Sequence, residues 1–284
     1  MAQYYCYQQD GALVLSDARM DERAFAYGDG FFSTIGVCDG QMICAPFHAK
    51  RILTGLSALR LSASVDELMV ALAQLAKQMR EGILKIIITR PVQSVRGYGF
   101  VGMAAAQAYI KAMPSPVYQG VRFKDGIPIQ PMMVRQMVLM QGQLSHRSPW
   151  LSGLKLIGCP EQVLIHAELL ERQQQDDSIT DGLVSNVHGQ WVCATMGNMF
   201  YQLDGCWYTP PVDISGVAGV MRAALMASSV LGKVHERVLQ TADLPLISGL
   251  ITTNAVRGIT PITSLCGRPL TDGWDAAGFT LLNA

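Results

Sequence analysis

Along the chain the apolar positions change period, and each change predicts an element. Residues 11–15 form a short strand candidate, and AYGDGFFSTIGVCDGQMI (26–43) reads as a glycine-rich turn, a strand, an Asp39-Gly40 hairpin turn and a second strand. From Pro46 the spacing becomes three and four. His48, Arg51, Ile52, Leu56 and Leu59 predict one helix, and Val65, Leu68, Leu72, Leu75 and Met79 predict a second with a stronger apolar stripe. LKIIITR (84–90) is a continuous β-branched run, the mark of a buried strand. A further strand is expected within 105–112.

Pro114, Pro116 and Gly120 crowd into MPSPVYQG (113–120), the best linker candidate in the chain. Residues 1–113 are therefore read as an N-terminal α/β domain, 114–121 as a linker and 122–284 as a C-terminal α/β domain. In the second half a strand is expected over 132–140. Pro160 suits the first turn of a helix that continues through Val163, Leu164, Ile165, Leu169 and Leu170. Residues 182–210 hold three or four strands, with turns at His188-Gly189 and Asp204-Gly205. GVAGVMRAALMASSVLG (216–232) reads as a glycine-led helix ending at Gly232, and 249–263 as a strand running into a turn. There is no internal repeat.

Composition narrows the classes. Of 284 residues, half are hydrophobic and 15% are charged, the profile of a compact globular chain with ample core material. Lysine plus arginine (22) equals aspartate plus glutamate (22), so no global field favours nucleic acid or an anionic membrane. The N-terminus has neither a basic n-region nor an apolar h-region, and no apolar run approaches the ~20 residues of a membrane span. Seven scattered cysteines without a CxxC pair predict reduced thiols in a cytoplasmic protein, and the scattered histidines suggest no metal site.

Against this background one lysine stands out. Lys155 lies among apolar neighbours in SPWLSGLKLIGCPEQVLI (148–165), just before the Pro160 helix. An ammonium moved toward an apolar site loses basicity and becomes a candidate amine nucleophile for Schiff-base chemistry; the plainer reading is a lysine that snorkels to water. Two segments are candidate phosphate sites. In GVAGVMR a glycine-rich turn opens a helix, so the free N–H groups of Val220 and Met221 would face an anion. TTNAVRGITP is a strand-to-turn junction with converging small and hydroxyl residues.

Several motifs stand in order along the chain: YGDGFFSTI at 27–35, the HxxR of His48 and Arg51, ITR followed by RGY at 88–98, GLK with EQVLI at 153–165, GNMF at 197–200, YTP at 208–210, GVMR at 219–222 and TNAxxxxTP at 253–261. Together they resemble the fold-type-IV pyridoxal-phosphate enzymes, the group that holds branched-chain and D-amino-acid aminotransferases. The RGY and EQVLI segments point to the lyase branch. The resemblance implies a two-domain α/β (α+β) architecture with the active site in the interdomain cleft, and a homodimer whose RGY loop lies near the partner subunit. It implies pyridoxal 5'-phosphate as cofactor, with Lys155 as the residue joined to it. Arg51, Val220, Met221, Asn254 and Ala255 would hold the phosphate, and Thr34, Arg96 and Tyr98 would face the substrate, Arg96 as a carboxylate clamp. The implied reaction converts 4-amino-4-deoxychorismate to 4-aminobenzoate and pyruvate, a step toward folate. The alternatives are a branched-chain or D-amino-acid aminotransferase and a relative without cofactor chemistry that acts as a binding protein. Three positions depart from the family. Cys193, facing the cofactor ring, replaces the usual glutamate, Gly158-Cys159 follow the lysine, and Gly36 replaces an arginine common in the lyases.

Overall fold

The β-branched run forms the centre of the first sheet. In the computed structural model, which describes residues 20–131 and 135–270 and the two short strands Tyr5–Tyr7 and Leu13–Leu15, the strand Gly82–Thr89 pairs antiparallel with Gly30–Cys38 on one side and Gln107–Pro114 on the other. Gln41–Met42 completes a four-stranded sheet through the hairpin at Asp39-Gly40, where both residues have positive φ. Period-two alternation divides this sheet. Phe31, Ile35, Val37, Leu84, Ile86 and Ile88 pack against the helices α2 (Ala45–Ala58) and α3 (Val65–Met79), which follow the short α1 (Arg23–Tyr27). Ser64 caps α3, its hydroxyl accepting from Glu67 N at 3.3 Å, and Asp66 and Glu67 favour the positive end of that helix. The other face of the sheet carries Phe32, Thr34, Ile83 and Lys85.

Residues 115–121 cross from this sheet to the second half. Tyr118 fixes the crossing: its N–H donates to Glu81 Oε1 and its hydroxyl to the carbonyl of Val256, each at 2.7 Å. The second half contains two sheets. A seven-stranded sheet runs in the order Val234–Glu236, Cys206–Thr209, Asn198–Leu203, Gly249–Asn254, Gly258–Ile262, Ile127–Ile129, Arg122–Lys124. A five-stranded sheet runs Trp191–Ala194, Ile179–Asn186, Gln136–Leu144, Ser264–Leu265, Arg268–Pro269. They meet face to face over Met137, Leu183, Met199, Tyr201, Leu250 and Ile262. The helix α4 (Pro160–Gln175) covers the outer face of the smaller sheet through Ile165 and Leu169, and α5 (Val220–Ala227) covers that of the larger through Met221 and Leu225. The result is a mixed α/β fold.

Three sequence expectations shift. The helix expected over 216–232 is only Val220–Ala227, because Gly216 sits at φ +87° and Ser228 is extended at φ −95°, ψ 170°. The strand expected over 132–140 runs Gln136–Leu144, and residues 132–134 lie outside the described set. The 249–263 segment is two antiparallel strands joined by the Asn254–Gly258 turn.

Candidate active site

Lys155 is held where the two halves meet. The carbonyl of Lys155 accepts from Phe32 N at 2.9 Å and Ile157 N donates to Gly30 O at 3.1 Å, so the segment lies along the first sheet's long strand. On its other side Ala218 N donates to Gly153 O at 2.8 Å. The segment thus ties the first sheet to the turn before α5. Lys155 Nζ lies 4.6 Å from the centre of the Phe32 ring, as does Nζ of Lys85. Burial, then the charge of Arg51, lowers the Lys155 pKa to about 8, with Lys85 and Arg147 adding to the effect and Cys159 opposing it. At neutral pH roughly a tenth of this amine is uncharged, far more than for an ordinary lysine.

A cavity of about 600 Å³ opens at this junction. Of the residues singled out from sequence, it brings together Lys155, Arg51, Thr34, Cys193, Val220, Met221, Asn254 and Ala255. Arg51 reaches it from α2, where Nη2 donates to Ala218 O at 2.9 Å and Nη1 to the Ser33 hydroxyl at 3.4 Å. Burial lowers the Arg51 pKa to about 10, which leaves the guanidinium charged at neutral pH. Behind it His48 is buried, its Nδ1 2.8 Å from Ser33 Oγ, and burial and Arg51 hold it near pKa 3, hence neutral. His48 is thus a buried packing residue with a polar partner.

The same wall carries the start of α5. Gly219 is the cap residue and has no room for a side chain, since a Cβ there would lie 1.8 Å from Asn198 Oδ1. Across the cavity Asn254 Oδ1 accepts from Val256 N (3.1 Å) and Arg257 N (2.8 Å), fixing the Asn254–Arg257 turn. Next to it Thr253 is buried, and its hydroxyl is a buried group without a partner among the described residues. A fixed cation, the N–H groups at a helix start and a hydroxyl lacking an acceptor make one end of the cavity fit a phosphate.

The other end differs. Cys193 lies beside Asp181, and burial followed by that carboxylate pushes its thiol up to about 12. It is a neutral group that offers no charge to a cationic ring nitrogen. Gly36 also has a structural reason: a Cβ there would lie 1.8 Å from the Tyr118 hydroxyl, so Tyr118 occupies the space of any side chain at 36. Sequence reading missed Tyr118, whose setting in a presumed linker gave no signal, and Asp181, a lone acid in a strand.

Arg96 and Tyr98 do not join the cavity of this chain. Both are exposed, Tyr98 at 84%, and their loop is tied back to α1 by the Arg23 guanidinium, which donates to the carbonyls of Gly97, Tyr98 and Gly99. Tyr98 stacks obliquely on Tyr27 at 5.1 Å.

Comparison with known proteins adds the following. The model of the amino-transferase class IV family matches residues 30–265. An aminodeoxychorismate lyase from Vibrio harveyi is 27% identical over 250 residues, 87% of this chain and 86% of its own length. The crystal structure of 4-amino-4-deoxychorismate lyase from Pseudomonas aeruginosa superposes with a TM-score of 0.75 at 27% identity, covering 90% of this chain and 91% of that one. A hypothetical aminotransferase from Mycobacterium tuberculosis in a PLP-bound form has the same fold, with a TM-score of 0.70 at 21% identity over 95% and 94% of the two chains.

Proposed function

The chain belongs to the class IV aminotransferase family, and from that premise we propose that it is a pyridoxal-phosphate-dependent lyase converting 4-amino-4-deoxychorismate to 4-aminobenzoate and pyruvate. The observation that carries the reading is the placement of one amine of lowered pKa in the same cavity as a phosphate-shaped end. The lyases from Vibrio harveyi and Pseudomonas aeruginosa support the substrate. When bound, pyridoxal phosphate supplies an aldehyde that condenses with amines and a ring that withdraws electrons from the bonds of the attached carbon.

The chain's own residues then have distinct tasks. Arg51, the N–H groups of Val220 and Met221, the Thr253 hydroxyl and the Asn254–Ala255 turn hold the phosphate. Lys155 would hold the aldehyde end and, as a neutral amine, would be the base for the proton on the substrate ring carbon bearing nitrogen. That C–H bond breaks as the C–O bond on the neighbouring carbon breaks. The enolpyruvyl group leaves and tautomerises to pyruvate, while the carbocycle becomes aromatic. Aromatisation drives the step, so it asks less of the ring nitrogen than transamination does. The neutral thiol at Cys193 therefore favours elimination over the aminotransferase alternative.

The reading includes a homodimer. Arg96 and Tyr98 face away from this chain's cavity, and a second copy is where they would meet a substrate carboxylate. It also takes the halves before and after residues 114–121 as the two domains, with a cytoplasmic setting. A coupled assay with 4-amino-4-deoxychorismate tests the reaction: equal yields of pyruvate and 4-aminobenzoate, lost in Lys155→Ala, are expected. Amino-group exchange without pyruvate would move the assignment to an aminotransferase. The same Cys193 thiol favours a second reading, a binding protein without cofactor chemistry, which predicts no cofactor absorbance after addition of pyridoxal phosphate.

A further inference from the structure

A second cavity, of about 250 Å³, lies behind the first between α4, the strand Ile179–Asn186 and the turn at Asn254–Gly258. Its wall carries two cations, Arg135 and Arg257, together with Asp181, His166, Gln173 and Thr260. The turn Thr195–Gly197, with Asn254, Arg257 and His166, lines both cavities, which therefore adjoin.

Two arginines face one carboxylate in this space, and the charge of Arg257 acts on that carboxylate, Asp181, as well as on Arg135. Neither Arg135 nor Arg257 forms an ion pair among the described residues. Arg135 spends Nη1 on the carbonyl of Pro131 at 2.8 Å, and burial and the charge of Arg257 both lower its pKa. The one carboxylate on the wall is already engaged. Asp181 Oδ1 accepts from Gly182 N at 2.8 Å, Thr195 N at 3.3 Å and the Thr195 hydroxyl at 2.5 Å, and burial pushes its pKa up despite these bonds. His166 adds a further open group, since its Nδ1 is buried without a partner among the described residues. Two guanidiniums that repel across a polar void are the complement of a small anion: each presents a planar fork of donors, and an anion between them removes the repulsion.

We propose that this second cavity is a binding site for a small dianion, a dicarboxylate or a phosphate, gripped by Arg135 and Arg257 and separate from the cleft that holds Lys155. The site connects to the cleft through the backbone. Arg257 N donates to Asn254 Oδ1 at 2.8 Å, so an anion on the Arg257 side chain pulls on the turn that closes the phosphate end of the cleft. The proposal stands whether or not the lyase reaction is the right one, because it uses no residue assigned to that chemistry as its cation.

The test is calorimetric titration of the protein, preincubated with saturating pyridoxal phosphate, with inorganic phosphate and separately with malonate at constant ionic strength. One saturable site per chain is expected for at least one anion, whose identity decides between phosphate and dicarboxylate. Binding should survive Arg51→Gln and weaken at least about tenfold in Arg135→Gln and in Arg257→Gln. Arg257 is exposed and its side chain makes no hydrogen bond among the described residues, so its variant keeps the test valid if Arg135→Gln fails to fold. Binding that is lost in Arg51→Gln but kept in Arg257→Gln would place the anion in the cleft and overturn the proposal. So would the absence of saturable binding for both anions.

Discussion

The two ends of the main cavity are built on different principles. The end proposed to take the phosphate rests largely on backbone: the start of α5, the Asn254–Arg257 turn and one arginine already aimed by Ser33 and the Ala218 carbonyl. In the proposed reading the ring end rests on a side chain at position 193, where the chain carries a thiol held neutral by burial. Recognition supplied by backbone geometry changes only if the fold changes. Recognition supplied by one side chain changes with one codon, and the chemistry changes with it.

The largest expected effect is at the backbone-rich end. Arg51→Gln removes the guanidinium proposed to pair with the phosphate and should weaken pyridoxal phosphate binding about 10–100-fold while leaving pyridoxal, which has no phosphate, unaffected. Equilibrium dialysis with both compounds checks this, and equal losses for both would mean that Arg51 only supports the fold. At the other end Cys193→Glu should raise the ring nitrogen's pKa by about 1–3 units, read by absorbance titration of the loaded protein. An unchanged titration would mean that the ring does not face position 193.

A third effect concerns the amine between the two ends. The Lys155 pKa is lowered from 10.5 to about 8, so its neutral, condensing form gains tenfold with each pH unit below about 8 and levels off above it. The rate at which the apo protein captures pyridoxal phosphate should follow that curve in stopped-flow absorbance; a rise continuing to pH 10 would show an unperturbed lysine. The smallest effect is structural. Tyr118→Phe deletes the hydroxyl bonded to Val256 O and should cost about 1 kcal/mol, a fall in Tm of about 2 °C for a chain of this size. A neutral outcome in calorimetry would mean that the crossing segment does not brace the Asn254–Arg257 turn.

How much of this was legible in the sequence depends on whether a residue's role is local. The helix at 65–79 is visible because its stripe, its serine cap and its acidic first turn all lie within the segment. The strand Gly82–Thr89 and the Asp39-Gly40 hairpin are visible for the same reason. Lys155 was legible as an amine among apolar neighbours, whereas its surroundings come from distant segments: Arg51 entered as a site residue through a family resemblance, and Phe32 and Ala218 were assigned no role. Tyr118 and Asp181 were illegible, because each acquires its role from residues far along the chain, Val256 for one and Thr195 for the other. The helix at 216–232 was overextended since apolar spacing continues past Ser228 while the backbone does not. Arg96 and Tyr98 show the reverse: the motif is plain in sequence, but its contacts within one chain are with Arg23 and Tyr27.

The most direct measurement is borohydride reduction of the protein after incubation with pyridoxal phosphate, followed by peptide mapping. Lys155 and Lys85 lie equally near the Phe32 ring, so the map decides between two real amines. The account predicts a single pyridoxyl group on the peptide containing Lys155. A pyridoxyl group on the Lys85 peptide, or no modified peptide at all, would contradict it.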